Sequence, residues 1–400
     1  MPAISERTKQ LGTENAFVVL AEVTALQKSG KDIIMFSVGQ PDFSTPVHVQ
    51  DAAVEAIRAG KHGYTPAQGL AELRAVVAKS MGEFRGLDIK PQDVVIGGGA
   101  KPFIAYAMHT TTDYGAGHEI IYPVPGFPIY SSQARASGAV PVPLMLRESR
   151  DFAFDPNDLE AAITPKTRML ILNSPHNPTG GLLTKQNLED IATILRKHPD
   201  IWIYSDEIYS RLTYDESYTS IASLPGMYER TIIADGASKA WAMTGWRIGF
   251  ASNPTLAPHF TRWVINTESC ASQISQWAAV QAIGGPQETT VEMKNEFHAR
   301  RDLIVKLLNQ VPGVTCRLPG GAFYAWPNVT EACRMTGIEN SEELRKRLLH
   351  EAGVAVLSDI HFGPRVPGDG EHVRFSYAAS RAMIEEGVGR MRDFIVRNTK

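Results

Sequence analysis

Between Asp93 and Ser252 the chain repeats one rhythm, a short apolar run followed by a stretch with helical spacing. The runs are DVVIGG (Asp93 to Gly98), HEIIYP (His118 to Pro123), AVPVPLML (Ala139 to Leu146), TRMLILNSP (Thr167 to Pro175), IWIYSDE (Ile201 to Glu207), TIIADG (Thr231 to Gly236) and RIGFAS (Arg247 to Ser252). This alternation predicts an α/β fold with one seven-stranded sheet, and helical crossovers imply mostly parallel pairing. In the connecting stretches DPNDLEAAI and TKQNLEDIATILRKHP, an Asp or a Thr can cap the first turn, and Pro199 ends the second. After Pro286 the rhythm gives way to a long charged helix, QETTVEMKNEFHARRDLIVKLLNQ, and then to hairpin-like pieces and helices. The expected organisation is an arm at 1–45 that also forms part of a small domain, a large domain at 46–285, and the small carboxyl-terminal domain at 286–400.

A chain of 400 residues, 43% hydrophobic and 21% charged, exceeds the usual size of a single core, in keeping with two packed domains. Its net charge of −3, from 40 basic and 43 acidic residues mixed along the chain, leaves no footprint for nucleic acid or an anionic membrane. A small-molecule partner is favoured. Cys270, Cys316 and Cys333 are odd in number and lack CxxC spacing, which argues against a disulfide framework and a metal site and for a reducing compartment. The start, MPAISERTKQLG, has no apolar leader and no later run is long enough to span a bilayer, so the cytoplasm is the expected location.

In such a sheet, ligands gather where strand carboxyl ends open into loops. VVIGGGAKPF ends a strand with three glycines and enters a helix, with Pro102 in the first turn. Backbone N–H groups and the helix N-terminus there can hold a phosphate, although a plain glycine-rich turn reads equally well. SDEIY places Asp206, Glu207 and Tyr209 after a buried run; a lone Asp there is more often a cap, but a buried carboxylate can also hold a proton on a heterocyclic nitrogen. NSPHNPTGG puts Asn173 and Asn177 in a proline-rich turn. SKAWAMTGWRIGF sets Lys239 and Arg247 around a Gly-Trp pair, behind the run that ends at Gly236. Amine, guanidinium, strand-end carboxylate, Asn-Pro-Thr-Gly loop and glycine-rich helix start are together the parts needed to hold pyridoxal phosphate.

The ordered set VGQPDFSTP, YTPAQGLAELR, GGGAKPF, PGFPIY, NSPHNPTG, SDEIY, SKAWAMTGWRIGF, PGGAFY and HVRFSYA resembles the class I/II aminotransferases, fold type I pyridoxal-phosphate enzymes, over nearly the whole chain. The resemblance implies that Lys239 bonds the cofactor covalently and carries the proton. It puts Ser238, Arg247 and the backbone of Gly99 and Ala100 on the phosphate, and Asp206 on the ring nitrogen. Tyr209 and Asn177 fall to the phenolic oxygen, and Phe127 to one ring face. Arg374, helped by Asn177 and the backbone at Gly39, matches the clamp on the substrate α-carboxylate, a task for which a planar guanidinium suits better than an ammonium. Lys101 matches a lysine beside the cofactor and the distal acid group of aspartate- and prephenate-type members. Tyr64 matches a tyrosine that reaches the phosphate of a neighbouring subunit, implying a homodimer.

The implied reaction is ping-pong transfer of an α-amino group from an L-amino acid to a 2-oxo acid, with aspartate or glutamate as first-choice donors and aromatic or neutral amino acids as alternatives. β-Lyases, decarboxylases and synthases share the fold and cofactor residues. Ligand-sensing regulators share them too, but carry a winged-helix domain ahead of this region. Two positions depart from the family pattern: Gln40 stands where Glu is common, and Ser358-Asp359 where Pro-Gly is usual. The second is expected in a flexible loop on the substrate side, with His361 and Arg365.

Overall fold

The computed structural model describes residues 2–400. Its first eight strands are β1 (Ile34–Met35), β2 (Val94–Gly97), β3 (Glu119–Val124), β4 (Val140–Met145), β5 (Thr167–Asn173), β6 (Trp202–Asp206), β7 (Thr231–Gly236) and β8 (Gly249–Ser252). Strands β2 to β8 build one sheet in the order β2-β8-β7-β6-β5-β3-β4. The pairs β3–β4, β3–β5, β5–β6 and β6–β7 are parallel, whereas β8 runs against both neighbours. All seven apolar runs are therefore strands of the expected mostly parallel α/β sheet.

Position in the sheet follows from composition. Strands β6 and β7 are buried along almost their whole length. Strand β4 carries Pro141 and Pro143 and pairs only with β3, the edge position at which a missing N–H breaks no ladder. The last run starts later than its sequence suggests. Arg247 has φ 54, a left-handed conformation that turns the chain before extended backbone begins at Gly249.

The connecting helices begin where their capping residues stand. Asp155 accepts from Asn157 N at 2.9 Å, and Thr184 and Asn187 form a capping box at the start of helix Lys185–Arg196. That second helix stops three residues before Pro199.

Beyond helix Glu288–Leu308, strands β9 (Tyr324–Ala325), β10 (Val354–Ala355), β11 (Leu357–Ser358) and β12 (Val373–Ser376) follow. β11, β12 and β9 form a small antiparallel sheet, with a core that includes Phe297, Ile304, Phe323, Phe375 and Phe394. The amino-terminal arm joins this unit through β1, which pairs in parallel with β10. It also touches the large sheet: Ala16, Val19 and Val23 of helix Asn15–Lys28 share a core with Leu144 and Leu172, and with Leu349 and Leu357. The arm thus packs both on β10 and on the core that holds Leu144 and Leu172.

Candidate active site

A cavity of about 550 Å³ opens beyond the carboxyl ends of β5, β6 and β7, the place where open α/β sheets collect ligands. Lys239, Asp206, Tyr209, Asn177, Ser238, Arg247, Ala100, Lys101, Phe127, Gly39 and Arg374 all line it.

Asp206 ends β6 and is almost fully buried. Tyr130 donates to its Oδ2 at 2.7 Å and Ile208 N to its Oδ1 at 3.4 Å. Burial pushes its pKa up to about 6, against the pull of those two donors. Behind it, Glu207 turns away from the cavity. Arg85 bonds Glu207 Oε2 at 2.6 Å and Asp235 Oδ2 at 2.8 Å, while Ser205 and Ser220 donate to Glu207 Oε1. Adjacent carboxylates in one motif are thereby separated into a cavity residue and half of a buried ion-pair cluster.

Lys239 lies just after β7, and its Nζ donates to Gly39 O at 2.6 Å. Burial draws its pKa down to about 8; nearby Glu14 opposes this, and Arg374, Arg247 and Lys101 add to it. An amine so placed is easily freed of its proton, as a nucleophile or proton carrier requires. Gly39 is closely confined: a Cβ there would stand 2.0 Å from the Tyr324 hydroxyl. The Tyr324 and Tyr209 hydroxyls are hydrogen-bonded to each other at 2.6 Å, and burial holds the Tyr209 phenol well above its usual pKa.

The glycine-rich turn leads into helix Lys101–Thr111, with Ala100 as its N-cap. Arg247 reaches over the turn and donates to Gly98 O at 3.1 Å and Thr244 O at 3.0 Å. Gly99 has φ +103, and a Cβ there would stand 2.2 Å from Arg247 Nη2. Only glycine leaves the helix N-terminus and the guanidinium open on one side, an arrangement suited to a phosphate.

Arg374, on β12, is buried and donates to Asn177 Oδ1 at 2.8 Å and to Ser37 O at 2.5 Å. Its Nε is buried without a partner among the described residues. Asn177 is fixed in turn by Asn173, whose Oδ1 accepts from its backbone N at 3.0 Å. Phe127 stands edge-on to Tyr130 with ring centroids 5.7 Å apart.

Tyr64 lies outside the cavity of its own chain and is 89% exposed. One expectation is corrected. The Ser358-Asp359 loop is neither loose nor part of the cavity wall: Asp359 accepts from Ser341 Oγ at 2.6 Å, Arg365 Nε at 3.1 Å and His372 N at 3.3 Å. Arg365 also pairs with Glu371, and His361 faces Glu342. A carboxylate in place of Pro-Gly thus anchors the loop through its own ion pair. Tyr130, Tyr324 and Glu14 line the cavity without having been singled out as site residues. Tyr130 and Tyr324 belong to PGFPIY and PGGAFY, so their motifs carried a signal; Glu14 belongs to none.

A phosphate-accepting turn, a half-buried amine with lowered basicity, a buried carboxylate and an arginine with an unused donor fit pyridoxal phosphate and an amino-acid carboxylate. Fold and site together define a fold type I pyridoxal-phosphate enzyme. Residues 31–391 match the family described as aminotransferase class I and II. The chain is 35% identical to an aspartate/prephenate aminotransferase of Cereibacter sphaeroides over 98% of this chain and 99% of that one. It is 36% identical to an aspartate aminotransferase of Geobacillus stearothermophilus, over 98% of each. The solved aspartate aminotransferase of Rhizobium meliloti superposes with a TM-score of 0.93 at 33% identity, covering 100% of both chains. The chain belongs to the class I and II aminotransferases and is a pyridoxal-phosphate-dependent aminotransferase.

Proposed function

We propose that the chain moves the amino group of an acidic L-amino acid, aspartate or glutamate, to a 2-oxo acid such as 2-oxoglutarate or oxaloacetate, in a ping-pong cycle. One observation carries the choice of substrate: Arg374 and Lys101 line the same cavity as Lys239, two cations for two carboxylates on either side of a reacting carbon. The similarity to aspartate and aspartate/prephenate aminotransferases supports the same reading. Phe17 and Phe127 near Lys101 favour a second one, in which neutral or aromatic side chains are also admitted.

When bound, pyridoxal phosphate supplies an aldehyde carbon for amine exchange and a ring that accepts the electron pair left at the substrate Cα. Arg247, Ser238 and the backbone at Ala100 would hold the phosphate beside Gly99, whose own N–H is bonded to Gly97 O at 2.7 Å. Asp206, kept in place by Tyr130, holds the proton on the ring nitrogen. Tyr209 and Asn177 would serve the phenolic oxygen, Phe127 would cover the ring, and Arg374 would orient the α-carboxylate. The Lys239 Nζ would take the Cα proton as base and deliver it as acid to the cofactor's former aldehyde carbon.

The working unit is proposed to be a homodimer in which Tyr64 completes the neighbour's phosphate site. Its exposure supports this, as do exposed Val47, Val54 and Ile57 on helix Val47–Arg58. A large unit at 46–285 and a small one at 286–400, with the arm at 1–45 forming part of the small one, remains the proposed division. A cytoplasmic setting is in keeping with the three free cysteines.

The deciding experiment follows stoichiometric conversion of the bound cofactor to its amine form by aspartate, alanine or phenylalanine, and its reversal by 2-oxoglutarate. Lys101→Ala should raise KM for aspartate much more than for the other two donors, by roughly tenfold or more for one charge-assisted contact. Equal effects on all three would refute the acidic-donor reading.

A further inference from the structure

Of the four cations that face the cavity, three bond neutral oxygens: Lys239 to Gly39 O, Arg247 to Gly98 O and Thr244 O, and Arg374 to Asn177 Oδ1 and Ser37 O. Lys101 differs. Its Nζ bonds Glu14 Oε2 at 2.5 Å, a residue 87 positions earlier in the chain. Glu14 occupies the N-cap position of helix Asn15–Lys28 but makes no side-chain bond to that helix, although such positions reward a capping side chain. Its carboxylate points instead into the cavity, whose only other acidic lining residue among the described residues is Asp206. Around the pair stand Phe17 and Phe127, with the Lys101 ammonium 5.8 Å and 5.3 Å from their ring centroids.

We propose that Glu14 is a specificity-determining residue that acts as an internal stand-in for the substrate's side-chain carboxylate. With a neutral donor, Glu14 stays on Lys101, the subsite carries no net charge, and the side chain lies against Phe17 and Phe127. With an acidic donor, the substrate carboxylate takes over Lys101, and Glu14, with 23% of its side chain exposed, turns to solvent. One charge-assisted bond replaces another, so Glu14 narrows the preference for acidic over neutral donors. The inference rests on the acidic-donor reading of Lys101.

The test uses the cofactor-loaded protein and two ligands without an amino group, maleate as dicarboxylate and 3-phenylpropionate as monocarboxylate, with Kd read from the cofactor absorbance or by calorimetry. Glu14→Gln, which keeps the length of the side chain and removes its charge, should raise the affinity ratio of maleate over 3-phenylpropionate about fivefold, the scale of a partly exposed ion pair. Glu14→Ala should move the ratio the same way. In a Lys101→Ala background, Glu14→Gln should leave the ratio where Lys101→Ala alone puts it. A purely structural role for Glu14 would shift both ligands together, regardless of Lys101. The proposal is overturned if Glu14→Gln leaves the ratio unchanged while Lys101→Ala lowers it, or if Glu14→Gln shifts it equally with and without Lys101. Should Lys101→Ala itself leave the ratio untouched, the acidic-donor reading falls first and the inference with it.

Discussion

Asp206 shows how a single residue can serve function at the expense of stability. Its folded pKa of about 6 lies above the ordinary 3.8, so the native state binds the proton more tightly than the unfolded chain does. The cofactor-free fold therefore loses stability as pH rises from about 4 to about 6, and bears the whole cost at neutral pH. Asp206→Asn in the cofactor-free protein should be more stable than wild type at pH 7.5, by up to about 3 kcal/mol, and the gain should vanish near pH 4. Urea unfolding at the two pH values checks this; a gain independent of pH would contradict the assigned cause. In the loaded enzyme the same substitution should cut kcat by roughly two orders of magnitude, since a neutral amide cannot favour a protonated ring nitrogen. Lys239→Ala should abolish transamination and the visible band of lysine-bound cofactor while leaving circular dichroism unchanged.

At the scale of elements, the site depends on how strand ends and helix starts approach one another. The turn after β2 disfavours a side chain at Gly99 because its φ of +103° is rarely adopted by L residues and Arg247 lies across it, and Arg247 reaches there because its own left-handed turn redirects the chain before β8. Gly99→Ala should weaken cofactor affinity at least tenfold in an absorbance titration, with secondary structure kept; an unchanged Kd would show that the guanidinium can move aside at little cost. The end of helix Ala71–Arg85 is tied to the ends of β6 and β7 through Arg85, Glu207 and Asp235. Arg85→Met would leave two buried carboxylates unpaired, and a loss of about 3–5 kcal/mol is expected in denaturant unfolding.

For the whole molecule, the amino-terminal arm is the element that unites its parts. It adds β1 to β10, lends apolar residues to the core beneath the large sheet, and carries Glu14 to the cavity mouth. The exposed apolar side chains of helix Val47–Arg58, together with Tyr64, predict that a second copy covers this face. Sedimentation at assay concentrations should show a dimer, and Tyr64→Phe should weaken cofactor affinity severalfold without dissociating it. A fully active monomer would remove the shared site.

The seven strands, their order-independent α/β character and the residues of the cofactor motifs were legible in the chain, because short apolar runs, capping residues and glycine turns are local properties. Lys239, Asp206, Asn177 and Arg247 stood out because each belongs to a strand-end motif, whereas Arg374 was picked out only by the family resemblance of HVRFSYA. Local pattern says nothing about which hydroxyl meets which carboxylate. Tyr130 finds Asp206 across 76 residues, and Glu14 finds Lys101 across 87. The Ser358-Asp359 pair read as a loosened substrate loop, yet Asp359 gathers Ser341, Arg365 and His372 N into a fixed cluster. Sequence determined the elements and the chemistry available at their ends. Tertiary packing alone decided which charges face one another across the cavity, because those distances depend on long-range contacts that no local propensity encodes.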